Sequence, residues 1–238
     1  MNPTVARLTL RGLLGRRRGL LLLVVPALLL VISAIASVSS ADPHETAGNI
    51  LGALGLGTLV PILGLVVGTG VIANEIDDGS IVYLLAKPLP RWRIVTTKLV
   101  VAIGVTWLFS VVPTLLAGLL LVGTQDGVAL GYTVAVLVAG AAYSALFLLL
   151  GVVTRHAVVA GLAYALIWES TVGNFVEGAR TLSVQQWGRS VAEAVAGQNA
   201  ISSDVSLGAA VPLLLVVTVA ATVFASVKLA GMTLASEE

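Results

Sequence analysis

Residues 73–98 read ANEIDDGSIVYLLAKPLPRWRIVTTK and interrupt a chain that is otherwise largely apolar. Acidic side chains gather at the start of this stretch and basic ones at its end, with an apolar run at 81–86 between them. Asp78 or Ser80 can cap a helix by accepting hydrogen bonds from its free backbone N–H groups. Pro88 then ends that helix, because proline has no N–H to donate. The stretch therefore predicts a short amphipathic helix in a water-facing loop between two membrane-spanning segments.

The composition is typical of a membrane protein. Of the 238 residues, 58% are hydrophobic and only 11% are charged, and the mean hydropathy is +1.04. Soluble domains carry about 25% charged residues. The absence of cysteine excludes disulfides, thiolate metal sites and cysteine nucleophiles. Two histidines, far apart in the sequence, offer no metal cluster either.

Uncharged runs predict six membrane-spanning helices. Residues 19–41 hold 23 uncharged positions, and long runs without Asp, Glu, Lys or Arg follow at 46–74, 99–125, 127–154 and 205–227. A span needs about 20 residues to cross about 30 Å of hydrocarbon. The run at 156–168 reaches that length only if the span also includes the charged Glu169. We predict an all-α polytopic membrane protein with a single transmembrane domain, 1–238, whose spans lie at about 20–40, 50–73, 95–122, 129–153, 157–176 and 209–229.

The segments between the spans are assigned from their length and polarity. The loop 74–94 holds the amphipathic helix. An outer re-entrant region is predicted at 177–208, where short helices dip back toward the membrane and Trp187 suits an interface. Residues 1–19 hold five arginines among leucines, which favours an interfacial amphipathic helix at the N-terminus.

A cleaved signal peptide is the competing interpretation of the N-terminal region, which has a basic start and an apolar core. The Ser- and Ala-rich stretch 33–41 favours cleavage. However, the uncharged run of 23 residues exceeds the roughly 7–15 residues of a signal-peptide core. We predict an uncleaved first span.

Basic residues are distributed unevenly between the two faces of the predicted bundle. Eleven of the thirteen lie before span one, between spans two and three, between spans four and five, or after span six. Only Arg180 and Arg189 fall on the other face. Cytoplasmic loops carry an excess of Lys and Arg. Both termini are therefore predicted in the cytoplasm, in a multi-pass protein of the plasma membrane.

The stretch 73–98 also resembles the loop between the second and third transmembrane helices of ABC-2-type transporter permeases. That family's pattern is a Glu, a Gly-Thr pair four residues on, a Leu pair, and then Pro, Arg and Lys at fixed steps. The matching positions in this sequence are Glu75, Gly79, Ser80, Leu84, Leu85, Pro88, Arg91 and Lys98. The mild departures are Ser80 where Thr is usual, Pro90 where Ser is common, and Thr97 where a Gly often precedes the Lys.

The resemblance implies a permease subunit of an ATP-driven ABC transporter, and by family analogy an exporter. It implies that a helix near 79–86 couples ATP-driven closure to the translocation pathway, through Glu75, Gly79, Ser80, Leu84, Leu85, Pro88 and Arg91. The implied partners are separate ABC ATPase subunits and a second permease, either another copy or a homologue, and no nucleic acid. No cofactor is expected on this chain itself, since ATP and Mg would bind the partner ATPase.

The rival class is an intramembrane enzyme or a structural subunit of another membrane complex. The chain lacks GxxxxGK[ST], so it does not bind ATP by that route, and it lacks HExxH and GxSxG. An intramembrane enzyme would need a polar constellation inside the spans, where Glu169 is the one acid that we place. We expect no catalytic residues, no ATPase site and no metal site.

Gly64, Gly68 and Glu169 are candidates for the translocation pathway. The two glycines have the small-xxx-small spacing that lets helices approach closely, and Pro61 adds a kink signal. These features fit either a bendable helix beside the pathway or ordinary packing. A charge inside a span costs at least about 2.5–3.5 kcal/mol, so Glu169 should face protein or water. It either lines a polar route or, as the polar residues after it favour, lies at the outer interface beside Trp168.

The predicted orientation can be tested with single cysteines in this cysteine-free chain. We expect Tyr83→Cys to react with a membrane-impermeant maleimide from the cytoplasmic side only. Asp126→Cys and Gln185→Cys should react from the outer side only, as measured on right-side-out and inverted vesicles. Labelling of Tyr83→Cys and Gln185→Cys from the same side would contradict the six-span arrangement.

Overall fold

The structure, a computed structural model, describes residues 3–13, 15–40, 42–72, 75, 90–172, 181–197 and 200–231. All regular secondary structure within these ranges is helical. This confirms the predicted all-α class. The predicted amphipathic helix near 79–86, which includes Gly79, Ser80, Leu84 and Leu85, lies outside the described residues, as does Pro88.

The helices follow one another in the order of the chain with short connections. They are α1 (Pro3–Leu13), α2 (Arg16–Ser39), α3 (Pro43–Gly70), α4 (Arg91–Val122), α5 (Val128–Val153), α6 (Ala157–Ala163, continued by a π-helical stretch, Tyr164–Val172), α7 (Val184–Ala196) and α8 (Leu207–Ala230). A 3-10 turn, Gln125–Gly127, connects α4 to α5.

Five helices, α2, α3, α4, α5 and α8, are long and apolar enough to cross a membrane. They confirm a helical, polytopic membrane protein. The apolar part of α6, Ala157–Glu169, is shorter than the usual spanning length within the described residues. The count of six spans therefore stays a prediction.

α3 and α4 both extend beyond the apolar segments that hydropathy marks. α3 begins at Pro43 because the Asp42 carboxylate accepts hydrogen bonds from the backbone N–H groups of His44 and Glu45, at 3.0 and 3.1 Å. α4 begins at Arg91, directly after Pro90. Polar residues in a first helical turn end an uncharged run without ending the helix, so hydropathy alone places these helix starts too late.

A π-helical stretch, Ile50–Leu59, forms the middle of α3. At its end the Val60 N–H donates to the Gly55 carbonyl, five residues back, as a π-helix requires. Pro61 follows directly, and in an ordinary α-helix its ring would clash with the carbonyl four residues back. The wider hydrogen-bond register in front of Pro61 fits this constraint. The kink signal in the sequence thus coincides with a change of helix type.

α5 forms the centre of the bundle and packs against α3, α4, α7 and α8. Ala135 and Ala139 leave room for its neighbours, while Tyr143 and Phe147 are large and completely buried. α2 and α8 lie at the periphery and expose most of their apolar side chains. The bundle therefore has one buried central helix and apolar outer faces.

α1 has the amphipathic character that its arginines and leucines predict. Val5, Thr9 and Leu13, spaced by four residues, are buried, and α1 packs against α4. Leu8 and Leu10 are exposed on the opposite side of the helix. The helix is thus present, and its interfacial location stays a prediction.

α7 is a short helix within the region predicted to be re-entrant, and it packs against α5 and α8. Trp187 is only 3% exposed, and its Nε1 donates to the Thr181 carbonyl at 2.8 Å. Protein rather than an open interface therefore surrounds this indole.

α3 and α5 approach each other through the two glycines of α3 that the sequence highlights. A Cβ added to Gly64 would lie 2.9 Å from the Tyr143 Cβ. A Cβ added to Gly68 would lie 2.9 Å from the Phe147 Cβ and 3.0 Å from the Ser144 carbonyl oxygen. No side chain larger than hydrogen fits without displacing α5, which supports the close-packing interpretation.

We expect Gly68→Ala to destabilise the protein by about 1–3 kcal/mol, because the new methyl group meets main-chain atoms and a Cβ that cannot move independently. Gly104→Ala is the matched control, since a Cβ at Gly104 in α4 meets nothing within 4 Å. Thermal unfolding of both variants in detergent measures the difference. Equal melting temperatures for the two variants would contradict the packing assigned to Gly68.

Candidate functional site

The residues predicted to take part in ATPase coupling belong to the loop between α3 and α4. Of these, Glu75 and Arg91 are described, and they lie at its two ends. Gly79, Ser80, Leu84, Leu85 and Pro88 lie outside the described residues. The geometry at the base of the loop is therefore what the structure offers for this site.

A buried ion pair joins the two ends of the loop. The side chain of Lys98, in α4, is completely buried, and its Nζ donates to Glu75 Oε1 at 2.6 Å. The same Nζ donates to the Val71 carbonyl oxygen at 2.5 Å, just beyond the end of α3. Lys98 thereby holds both the last turn of α3 and the first residue of the loop that the structure describes.

Lys98 needs this pairing because its side chain is shielded from water. A buried ammonium is costly unless it is paired and hydrogen-bonded. Lys98 has both a carboxylate and a carbonyl as acceptors, while the Glu75 side chain keeps 31% of its surface exposed. The Lys98 ammonium therefore depends on this pairing more than the partly exposed Glu75 carboxylate does. The result is a fixed separation between the chain ends that enter and leave the loop.

Basic and aromatic side chains lie in the first turn of α4, ahead of Lys98. Arg91 is the first residue of α4 and is half-buried. The Arg93 guanidinium lies 5.3 Å from the centre of the Trp92 ring, and Trp92 is 56% exposed. Exposed tryptophan beside arginine is typical of a membrane–water boundary. We call this end of the bundle, which carries Arg91, Arg93, Lys98 and Arg155, the basic end.

Glu169 lies in a second buried polar cluster, between α6 and α7. Only 1% of Glu169 is exposed. Its Oε1 accepts hydrogen bonds from the Tyr164 hydroxyl at 2.8 Å and the Val184 N–H at 3.1 Å. Its Oε2 accepts from the Ser183 hydroxyl at 2.5 Å and the Gln185 N–H at 3.4 Å. Each carboxylate oxygen therefore has two donors.

The Glu169 carboxylate caps the N-terminus of α7. Val184 and Gln185 are the first residues of that helix, and Ser183 is its N-cap, whose hydroxyl accepts from the Gln186 N–H at 3.3 Å. Helix N-termini favour negative charge because their first N–H groups have no partner within the helix. Glu169 thus fixes the point at which the chain enters α7, and its role in a pathway stays a prediction.

Residues 25–183 match the family described as ABC-2 family transporter protein. The match covers more than half of the chain. The chain belongs to the ABC-2 family. A search of curated proteins found no match.

Family membership confirms the resemblance that the loop motif carries. An ABC-2 protein is a multi-pass membrane permease of an ABC transporter that works with a nucleotide-binding subunit. The motif positions that the structure describes, Glu75, Arg91 and Lys98, all lie at the basic end of this permease. The ion pair shows what two of them do together, which the motif alone does not.

A row of hydroxyl side chains inside the permease escaped the sequence prediction. Thr106, Ser110 and Thr114 follow one another at four-residue spacing in α4, and all are completely buried. The Ser144 hydroxyl, in α5, donates to Thr106 Oγ1 at 3.1 Å. The regular spacing of Thr and Ser within an apolar helix could have revealed this row in the sequence. This row lies further along α4 than Lys98, on the side of the helix that is buried in the bundle.

The pathway candidates Gly64 and Gly68 face the buried surface of α5. Near them the Tyr143 and Phe147 side chains are completely buried. Their assignment to a translocation pathway stays a prediction, while their packing role is visible.

We expect Glu75→Gln to destabilise the permease more than Lys98→Met. Glu75→Gln leaves a completely buried ammonium without its counter-charge, at a cost of about 3–5 kcal/mol, whereas Lys98→Met leaves a carboxylate that water partly reaches. The double variant should lose less than the sum of the two single variants. Thermal unfolding in detergent measures these differences, with Lys228→Met as an exposed control. Additive losses would contradict the coupling of the two charges.

We expect Glu169→Gln to loosen the first turn of α7, because the amide carries a single acceptor oxygen for donors that now share two. Hydrogen exchange of residues 184–187, followed by mass spectrometry, should be faster than in the unsubstituted permease. Glu193→Gln changes a half-buried acid near the other end of α7 and serves as the control. An unchanged rate of hydrogen exchange in Glu169→Gln would contradict the capping role of Glu169.

Proposed function

We propose that this permease is the membrane-spanning subunit of an ATP-driven exporter and forms the translocation pathway with a second permease. ATP and Mg bind separate ATPase subunits, and the chain has no ATPase site of its own. The complex resides in the plasma membrane with both termini of the permease in the cytoplasm. Family membership and the excess of basic residues at one end support these statements.

The observation that carries the proposal is the ion pair between Lys98 and Glu75. A loop can transmit force only if its ends are fixed to the parts that must move. The pair fixes the start of the loop to α4, and the Val71 contact fixes α4 to the end of α3. A push on the loop therefore moves α3 and α4 as one unit.

The loop helix near 79–86 is the element that receives this push. Its apolar positions Ile81, Leu84 and Leu85 would cost about 25 cal/mol per Å² if left exposed to water. A groove of the ATPase buries such a face in the manner of a helix bound in a groove. We propose Arg91, the first residue of α4, as a rim charge of this interface, whereas Glu75 is engaged within the permease by Lys98.

The motion reaches the core of the bundle through contacts that the structure describes. α3 and α4 both pack against α5, and α3 does so through glycines. Tight packing passes on a displacement because interiors are dense and have little empty space. Closure of the ATPase dimer would thus shift α3 and α4 against α5. The outward apolar faces of α2 and α8 are available to lipid and to the second permease.

Charge reversal on the apolar face of the loop helix tests the proposal. We expect Leu84→Asp and Leu85→Asp to leave membrane insertion intact but to release the ATPase from the purified complex or abolish its coupled hydrolysis. The physical reason is that a carboxylate in an apolar groove loses its hydration without gaining a partner. Co-purification ratios and ATPase rates of the assembled complex are the measurements.

Leu207→Asp is the matched control for these variants. Leu207 is an exposed leucine, 44% accessible, and is the first residue of α8, near the end of α7 and away from the basic end. The same chemical change there should leave the ATPase bound and active. A fully coupled complex that carries both Leu84→Asp and Leu85→Asp would contradict the docking proposal.

A further inference from the structure

A large open cavity lies at the end of the bundle opposite to the basic end. Its volume is about 960 Å³, and it is bounded by the start of α3, the turn before α5, and α7 with the segment that follows it. Small-molecule sites usually have volumes of about 300–1,000 Å³. The space is therefore large enough for a lipid headgroup or a small organic anion.

Arg189 forms part of the wall of this cavity. It is half-buried in α7, and its buried Nε–H has no hydrogen-bond partner among the described residues. The described part of the chain also offers it no carboxylate within ion-pair distance. The neighbouring Tyr132 hydroxyl donates to the Gly48 carbonyl at 3.1 Å, and no hydrogen bond joins it to Arg189 within the described residues. A cation held in this way is a ready binding group.

The other charged side chains around the cavity are exposed to solvent. His44 Nε2 and Asp126 Oδ2 are 3.6 Å apart, with side chains 46% and 62% exposed, and Glu45 is exposed as well. Water and salt screen charges with this exposure. The half-buried guanidinium is screened less. The lining of the cavity therefore combines one half-buried positive charge with solvent-exposed charges that are screened.

We propose that this cavity binds a molecule whose oxyanion, a phosphate or a carboxylate, is held by Arg189. A guanidinium carries five N–H donors in a planar fork that matches two oxygens of such a group. A bound oxyanion would accept hydrogen bonds from the guanidinium of Arg189 where that side chain lines the cavity. The proposal concerns binding at this end of the permease and does not depend on ATPase coupling.

The oxyanion can come from a lipid headgroup at the membrane surface or from a soluble anion. Both present the same chemistry to Arg189. They differ in whether binding needs an attached apolar tail. The cavity borders apolar residues such as Val195 and Ile201 beside its polar wall, so a short-chain lipid fits its lining.

Binding to the purified, full-length permease in an uncharged detergent tests the proposal. Isothermal titration would be carried out with dihexanoyl phosphatidic acid, with inorganic phosphate, and with uncharged dihexanoyl glycerol. We expect saturable binding of at least one phosphate probe and none of the uncharged lipid. Binding of inorganic phosphate identifies a soluble anion as sufficient, and binding of the phosphatidic acid alone identifies a lipid headgroup.

Substitution of Arg189 assigns the binding to this side chain. Arg189→Gln should lower the affinity for the phosphate probe at least tenfold. Arg189→Lys keeps the charge but loses the planar fork of donors, so its affinity should lie between that of Arg189→Gln and that of the unsubstituted permease. Arg155→Gln removes an exposed arginine at the basic end and should leave binding unchanged. Melting temperatures of the variants show that each one is folded.

Two results would overturn the proposal. One is that neither phosphate probe binds the unsubstituted permease at millimolar concentration. The other is that a folded Arg189→Gln variant binds as tightly as the unsubstituted permease. If Arg189→Gln fails to fold, Arg189→Lys decides, since unchanged binding there would show that the guanidinium fork is not needed.

Discussion

The ammonium of Lys98 is completely buried and needs acceptors, and the arrangement of the basic end follows from that constraint. A lysine within the first turns of a long apolar helix faces either lipid or protein, and lipid offers no compensation for its charge. In this permease α3 supplies the Val71 carbonyl and the residue beyond it, Glu75, supplies the counter-charge. The start of the loop that follows Glu75 is consequently held against α4. The proposed transmission of force depends on this tether.

Glu169 is a second buried charge that needs partners, but it is negative and lies at the start of α7. Its carboxylate is buried, and its partners are backbone N–H groups and hydroxyls rather than a cation. The two buried charges therefore act at different places, one where the loop leaves α3 and one where α7 begins. Between them lie the apolar α5 and the glycine contacts of α3.

Much of the fold could be predicted because it depends on hydropathy alone. The apolar runs predicted five helices that the structure shows to be long enough to span, and the arginines and leucines near the N-terminus predicted α1. The start of α3 was missed because Asp42 caps it outside the uncharged run. The π-helical stretch before Pro61 was visible only as a kink signal, since hydrogen-bond register leaves no mark in composition.

The site was less accessible to sequence reasoning because its contacts join distant residues. The motif contained both Glu75 and Lys98, but nothing in their spacing of 23 residues says that they form a pair. Glu169 was recognised as costly, yet its donors, Ser183 and Val184, belong to a segment whose approach depends on tertiary structure. Arg189 stood out only as one of two basic residues on the sparsely charged face.

The most direct test of the account is the chemical accessibility of Lys98. The purified permease would be treated with acetic anhydride under native conditions, and the acetylation of individual lysines would be followed by mass spectrometry. Because Lys98 is completely buried and paired, it should react far more slowly than the exposed Lys228. Glu75→Gln should raise the rate at Lys98 and not at Lys228. Equal rates at the two lysines in the unsubstituted permease would contradict the buried ion pair.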